Sequence, residues 1–389
     1  MSNNETDPHS PVSKRARVHK RLYRFDWWRE ELKSPRHVVA PMVDLSELAF
    51  RMQCRKYGAD LCYTPMINSR CFATSAEYRR SNFFTHADDQ PLIAQVAGDD
   101  PADVVAACKY LEGQVSGIDL NLGCPQGIAR KGHYGAYLLD YPDVICGVTS
   151  AMTANLTVPV SCKIRLVSTP NRDDRLQKTS DLIRRLDATG IDLLTIHGRT
   201  KEEKGVFTQA ADWAAIKQLA ELYRSSFPII LNGGIETYAD VQRALSEVGV
   251  DAVMSSEAVL EYPALFAPDV VVSQEALALE YLDLAAKYKH ACPKVEVRCT
   301  RTHMFRFLHG QVQAAGNEDL RDRLARAPSV GQIRQIVLDL AEREVSNVVD
   351  NRAWYRRHRK HESIKVDAEH VVQPVEAVEA VEAVETPEL

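Results

Sequence analysis

Apolar residues along this chain fall into short continuous runs separated by longer amphipathic stretches. Eight such runs lie between residues 37 and 256: HVVAPMV (37–43), ADLCYTP (59–65), PLIAQVAG (91–98), GIDLNLG (117–123), PVSCKIRL (159–166), IDLLTIHG (191–198), PIILNGG (228–234) and VDAVMSS (250–256). Runs of this length suit strands covered on both faces. Between them, Leu45 to Tyr57, Asp100 to Leu111, Tyr141 to Thr153, Arg175 to Ala188, Ala211 to Tyr223 and Thr237 to Glu247 space their apolar residues as helices do. Eight alternating units predict an α/β chain folded as a (β/α)8 TIM barrel. A doubly wound sheet would more often carry a glycine-rich turn after its first strand, and PMVDL is not one. After Ala276 the alternation stops, and Glu280 to Tyr288, Thr300 to His309, Asp319 to Ala325 and Gln332 to Glu344 read as helices.

The pattern divides the chain into four parts. Residues 1–34 read as a basic, mostly disordered segment, 35–272 as the barrel, 273–350 as a helical domain, and 351–389 as a basic-aromatic stretch running into an acidic VEA-repeat tail. Lys14-Arg15-Ala16-Arg17 and His19-Lys20-Arg21 form a basic cluster that fits a nuclear-import signal, an RNA-grazing arm or a solvated tail.

Composition changes the picture little. Of 389 residues 26% are charged and 45% hydrophobic, as in ordinary soluble enzymes, and the net charge of −5 does not mark a nucleic-acid binder. Residues 375–389 carry glutamates and no cations, so the remainder is nearer neutral and any RNA-binding face must be a local patch. Nine cysteines without a CxxC pair suit reduced thiols in the cytoplasm or nucleus. No apolar run reaches membrane-spanning length and no signal-peptide core precedes the fold, so no membrane association is expected.

The chemistry lies where the runs end. A barrel places its catalytic groups at the C-terminal ends of its strands. Here those ends hold Pro41-Met42, Gln95, Asn121 and Cys124, Lys163 and Arg165, His197-Gly198-Arg199, Asn232-Gly233-Gly234 and Ser255-Ser256. Lys163 and Arg165 are two apart in an apolar strand and so point to one side, into the barrel mouth. A buried ammonium is costly without an anion. It is either paired inside the barrel, with Asp119 for example, or it faces a ligand that becomes negative, as a reduced flavin does. Asn232-Gly233-Gly234 ahead of a helix at Thr237, with a serine pair after the eighth strand, suits a phosphate. Together these favour FMN over a sugar phosphate, since Gln95 and Lys163 suit the polar edge of its ring.

APM (40–42), IAQVAG (93–98), DLNLGCP (119–125), KGHYGA (131–136), CKIR (162–165), IHGRT (196–200) and NGGI (232–235) together resemble the tRNA-dihydrouridine synthases, most closely the eukaryotic branch that acts on tRNA positions 16 and 17. The likeness runs from about Pro35 to Phe266, and the helical tail is similar to that family's RNA-binding domain. It implies FMN held by Pro41, Met42, Val43, Gln95, Lys163, His197, Asn232, Gly233, Gly234, Ser256 and Glu257, with NADPH as co-substrate. Many members have Gly-Arg where this chain has Ser256-Glu257, so the phosphate contact there is expected through backbone N–H. It further implies reduction of uridine to 5,6-dihydrouridine, with hydride reaching C6 and Cys124 protonating C5, and with Lys163 and His197 in the catalytic set. Asn121 would orient the base, and Arg165, His197 and Arg199 would hold its carbonyls or the flavin. Arg301 and Arg306, with Arg298 and His303 nearby, would meet tRNA phosphates.

Two other readings stand beside this one. A flavin barrel acting on a free pyrimidine, as dihydroorotate or dihydropyrimidine dehydrogenases do, would need no helical platform. A tRNA-binding barrel without chemistry would not need Cys124, Lys163 and His197. His290, Cys292, Cys299 and His303 match no standard zinc-ligand spacing, so no metal is expected, and the protein is expected to be a monomer.

Overall fold

The computed structural model describes residues 23–343 except Ala291. The basic cluster at residues 14–21, the basic-aromatic stretch and the VEA-repeat tail lie outside the described residues. Nine strands form among them: β1 (His37–Val39), β2 (Leu61–Tyr63), β3 (Ile67–Asn68), β4 (Leu92–Ala97), β5 (Gly117–Leu122), β6 (Val160–Arg165), β7 (Leu193–His197), β8 (Ile229–Asn232) and β9 (Ala252–Ser255). Each pairs in parallel with its neighbours. β1 meets both β2 and β9, and β2 reaches β4, so eight strands close a cylinder while the two-residue β3 lies beside β4. This is the expected barrel, and every expected apolar run supplies one strand of it.

Strand alternation divides the core in two. Val39, Cys62, Leu92, Ala94, Ile118, Leu120, Cys162, Ile164, Leu194, Leu231 and Val253 pack outward under the helices. Val38, Leu61, Tyr63, Ile93, Leu193, Ile230, Ala252 and Met254 fill the interior. Trp27, Trp28 and Leu32 belong to this inner cluster. Of the segment 1–34, read as mostly disordered, the described residues 23–34 are instead ordered. Residues 27–31 form a short helical turn whose tryptophans stop the N-terminal end of the cylinder, with Trp27 Nε1 donating to Ser116 O at 3.2 Å. Arg24 is 3% exposed and ties this turn to Asp187 and Ser226. The aromatic residues outweigh the local basic charge because the open end of the barrel needs an apolar plug.

The helices start where the chain supplies caps. Asp100 accepts from the N–H groups of Ala102 and Asp103 ahead of Pro101–Lys109. Thr237 and Asp240 form a reciprocal capping box at the start of Tyr238–Arg243. Two further helices, Ser69–Thr74 and Ala76–Asn82, separate β3 from β4, in a stretch whose mixed polarity shows no helical period.

The C-terminal helices Gln274–Lys287 and Pro293–Phe307 pack on the first βα unit and share its core, Val330–Glu342 packs on both of them, and Glu318–Arg326 packs on Val330–Glu342. Gln53 donates to Leu277 O at 2.8 Å. Glu47 accepts from Tyr281 at 2.7 Å and meets His303 Nε2 at 3.0 Å. His303 is therefore a fully buried link between helical domain and barrel, stacked on Phe50, and does not belong to a solvent-facing basic row.

Candidate active site

The polar residues on the inner side of the strands form a connected network at the C-terminal end. Strand register sets Gln95 beside Asp119, Asn121 beside Lys163, Arg165 beside His197, and His197 beside Asn232. Gln95 Nε2 donates to Asp119 Oδ2 at 2.8 Å, and Ser161 Oγ donates to Asp119 Oδ1 at 2.7 Å. Both carboxylate oxygens are thus occupied by neutral donors, and burial raises the Asp119 carboxyl to about 6. Asn121 Nδ2 donates to Gln95 Oε1 at 2.6 Å, while Asn121 Oδ1 accepts the N–H groups of Gly123 and Cys124. The Asn121 amide thereby shapes the turn that carries the thiol.

Lys163 decides the character of the site. Its Nζ donates to Asn232 Oδ1 at 2.7 Å, and no carboxylate lies within ion-pair distance of it among the described residues. Asn232 is fixed in turn by donating to Met254 O at 3.0 Å. The pairing with Asp119 is not made. Burial first, and Arg165 next, lower the Lys163 ammonium to about 7. Burial also pushes His197 well below the usual imidazole value, assisted by Arg165, Lys163 and Arg199. Lys163 and Arg165 thus converge here with their hydrogen bonds spent on neutral oxygens, so an anionic ligand would find a prepared environment.

Arg165, His197, Arg199 and Asn232 border a cavity of about 680 Å³. Of the residues expected in the site, Arg165, His197, Arg199, Asn232, Gly233, Gly234, Ser256 and Glu257 line it. Gly233 and Gly234 adopt φ of 94° and 77°, and a Cβ on Gly233 would stand 2.7 Å from His197 Cδ2. Glycine is therefore required, and the turn leaves its backbone open to a ligand. Arg199 faces Glu257, Glu203 and Glu236, so the glutamate that departs from the family pattern sits in the field of a guanidinium.

Gln95, Asn121 and Lys163 belong to the buried network and do not line this cavity. Cys124 is half-buried, packed with Ala97, Ala129, Tyr134 and Tyr137, and its neighbours Pro125 and Gln126 reach the cavity wall. Burial raises its thiol, so it stays protonated at neutral pH. Met42 packs on the barrel interior at the end of β1, and Val43 is 56% exposed. Neither these two nor Pro41 lines the cavity. Arg301 and Arg306 lie on the helix Pro293–Phe307, where Arg301 donates to Ala325 O at 2.7 Å. The expectation missed Glu203, Lys204, Val206, Phe207 and Glu236, which also border the cavity. The first four sit on a polar loop after β7 without periodicity, so only the barrel rule that such loops build the site could have found them.

The profile described as Dihydrouridine synthase (Dus) matches residues 38–326. The chain belongs to the dihydrouridine synthase family. A mouse member (Mus musculus) named tRNA-dihydrouridine(16/17) synthase (NAD(P)(+))-like is 40% identical over 312 residues, which is 80% of this chain and 62% of that protein. A Schizosaccharomyces pombe member named tRNA-dihydrouridine(16/17) synthase (NAD(P)(+)) is 33% identical over 342 residues, covering 83% of this chain and 84% of that protein. A Saccharomyces cerevisiae member of the same name is 36% identical over 289 residues, 72% of this chain and 66% of its own length. This dihydrouridine synthase chain thus spans less than two thirds of the mouse relative.

Proposed function

We propose that this dihydrouridine synthase is a flavin enzyme that reduces uridine to 5,6-dihydrouridine in tRNA, at positions 16 and 17 of the D-loop, with NADPH as reductant. The observation that carries the reading is Lys163: a buried ammonium whose partner is a neutral amide oxygen, beside an open glycine turn. The residues present fit FMN. Lys163 and Asn232 would hold the polar edge of the ring, where a cation stabilises the negative charge of the reduced state. The backbone of Gly233 and Gly234 would hold the phosphate, with Arg199 offsetting Glu257 and Glu236. When bound and reduced by NADPH, FMN supplies the hydride that C6 of the uracil accepts.

The chain supplies the proton and the positioning. The target uridine must leave its stack to reach the end of the barrel. Cys124 Sγ–H then gives its proton to C5, and the resulting thiolate is reprotonated from solvent. A thiol kept protonated by burial is suited to that role. The names of the relatives support tRNA as the substrate. The purified protein should be yellow, and its NADPH oxidation should rise with unmodified tRNA and not with free uracil. A colourless protein, or equal stimulation by free uracil, would contradict the proposal.

A further inference from the structure

The backbone on both sides of Cys124 is held from other elements. Asn121 Oδ1 accepts the Cys124 N–H at 2.9 Å, and the Ala136 N–H donates to the Cys124 carbonyl at 3.0 Å. Gly135, at φ 69°, makes that return possible, because a Cβ there would stand 2.6 Å from the Cys124 carbonyl oxygen. The carbonyl before the thiol, Gly123 O, accepts Arg165 Nε at 2.8 Å, and the same guanidinium donates to Thr200 O at 2.7 Å. The carbonyl after it, Pro125 O, accepts the Tyr137 hydroxyl at 3.0 Å and also the Lys204 ammonium. Lys204 Nζ reaches the Tyr137 hydroxyl at 3.2 Å and lies 5.8 Å from the centre of its ring. Lys201 closes the same seam on Asp140.

Thr200, Lys201 and Lys204 all belong to the loop after β7, which borders the cavity from the far side. The thiol-bearing loop is therefore pinned by a loop that itself forms the cavity wall. We propose that Lys204 is a positioning residue for the proton donor: by bridging Pro125 O and the Tyr137 hydroxyl it fixes the turn that carries Cys124 and holds an ammonium on the carbonyl of the residue after the thiol. The inference deepens the proposed function and rests on it. Arg165 and Lys163 face Cys124 from β6, Tyr134 from its own loop and Lys204 from the β7 loop, and the three cations favour the thiolate. Lys204 is the one of the three outside the buried strand network, so it can be changed without disturbing the barrel interior.

The test uses the FMN-loaded full chain and follows iodoacetamide alkylation of the Cys124 peptide by mass spectrometry from pH 6 to 10. In Lys204→Met the alkylation profile should move to higher pH, and the rate at pH 7.5 should change by about threefold or more. Lys204→Arg, which keeps charge and donors, should restore the wild-type profile. Tyr137→Phe should loosen the turn while leaving the cation, changing the rate without moving the profile. An unchanged profile in Lys204→Met, or equal displacement in Lys204→Met and Lys204→Arg, would overturn the assignment. Should Lys204→Met fold poorly by circular dichroism, Lys204→Gln gives the same comparison. Failure of the proton-donor reading is separable, since it would appear as full turnover in Cys124→Ala whatever Lys204 does to alkylation.

Discussion

The two ends of the barrel interior are made by the same strands and differ in nearly every physical respect. At the N-terminal end, Val38, Leu61, Ile93, Leu193, Ile230 and Ala252 close around Trp27 in an apolar cluster. At the C-terminal end the same inward-facing rows continue as Gln95, Asp119, Asn121, Lys163, Arg165, His197 and Asn232. One end gains stability from burying apolar surface. The other carries buried charges whose protonation equilibria are displaced from their ordinary values, including a lysine lowered to about 7 and an aspartate raised to about 6. A chain that keeps such groups at one end while plugging the other with tryptophan separates stability from chemistry along the barrel axis.

That separation can be broken from either side. The largest effect should come from Cys124→Ala, with dihydrouridine formation falling by about 10²–10⁴-fold as expected for a lost proton donor. Its flavin content and melting temperature should stay close to wild type, as measured by absorbance and calorimetry. Trp27→Ala should do the reverse. It should cost about 3–5 kcal/mol of stability in denaturant titrations, while turnover of the remaining folded enzyme is unchanged well below its midpoint.

A smaller effect sharpens the comparison through pH. The folded-state value of Lys163, about 7, lies below the ordinary lysine value of 10.5, so the folded apo-protein holds fewer protons than the unfolded chain between those values. Its contribution therefore makes the apo-protein more stable as pH rises through that window. Lys163→Met should flatten the slope of the unfolding midpoint there and also weaken FMN retention. An identical slope in the variant would show that the upper end does not carry the cost assigned to it.

Most of the barrel was legible because its strands are apolar on both faces, and two packed layers demand continuous runs such as those at 159–166 and 191–198. The N-terminal plug was hidden because Trp27 and Trp28 stand among arginines and glutamates, where local composition says solvent and only the empty barrel end says core. At the site, Lys163, Arg165 and Asn232-Gly233-Gly234 stood out because charge and paired glycines are anomalous in buried strands. The partner of Lys163 was not legible. Asp119 is nearer in sequence, but Gln95 and Ser161 occupy its oxygens, and strand register brings Asn232 across from β8. The Lys204 bridge joins loops 79 residues apart and left no trace in either. His303 looked like one of a basic row until Glu47 placed it inside.

A single-turnover reaction tests the central claim most directly. The FMN-loaded protein, reduced with NADPH under anaerobic conditions, is mixed with tRNA lacking dihydrouridine. Flavin reoxidation should then coincide with dihydrouridine appearing at positions 16 and 17. Reoxidation without dihydrouridine, or no reoxidation beyond that seen without tRNA, would contradict the account.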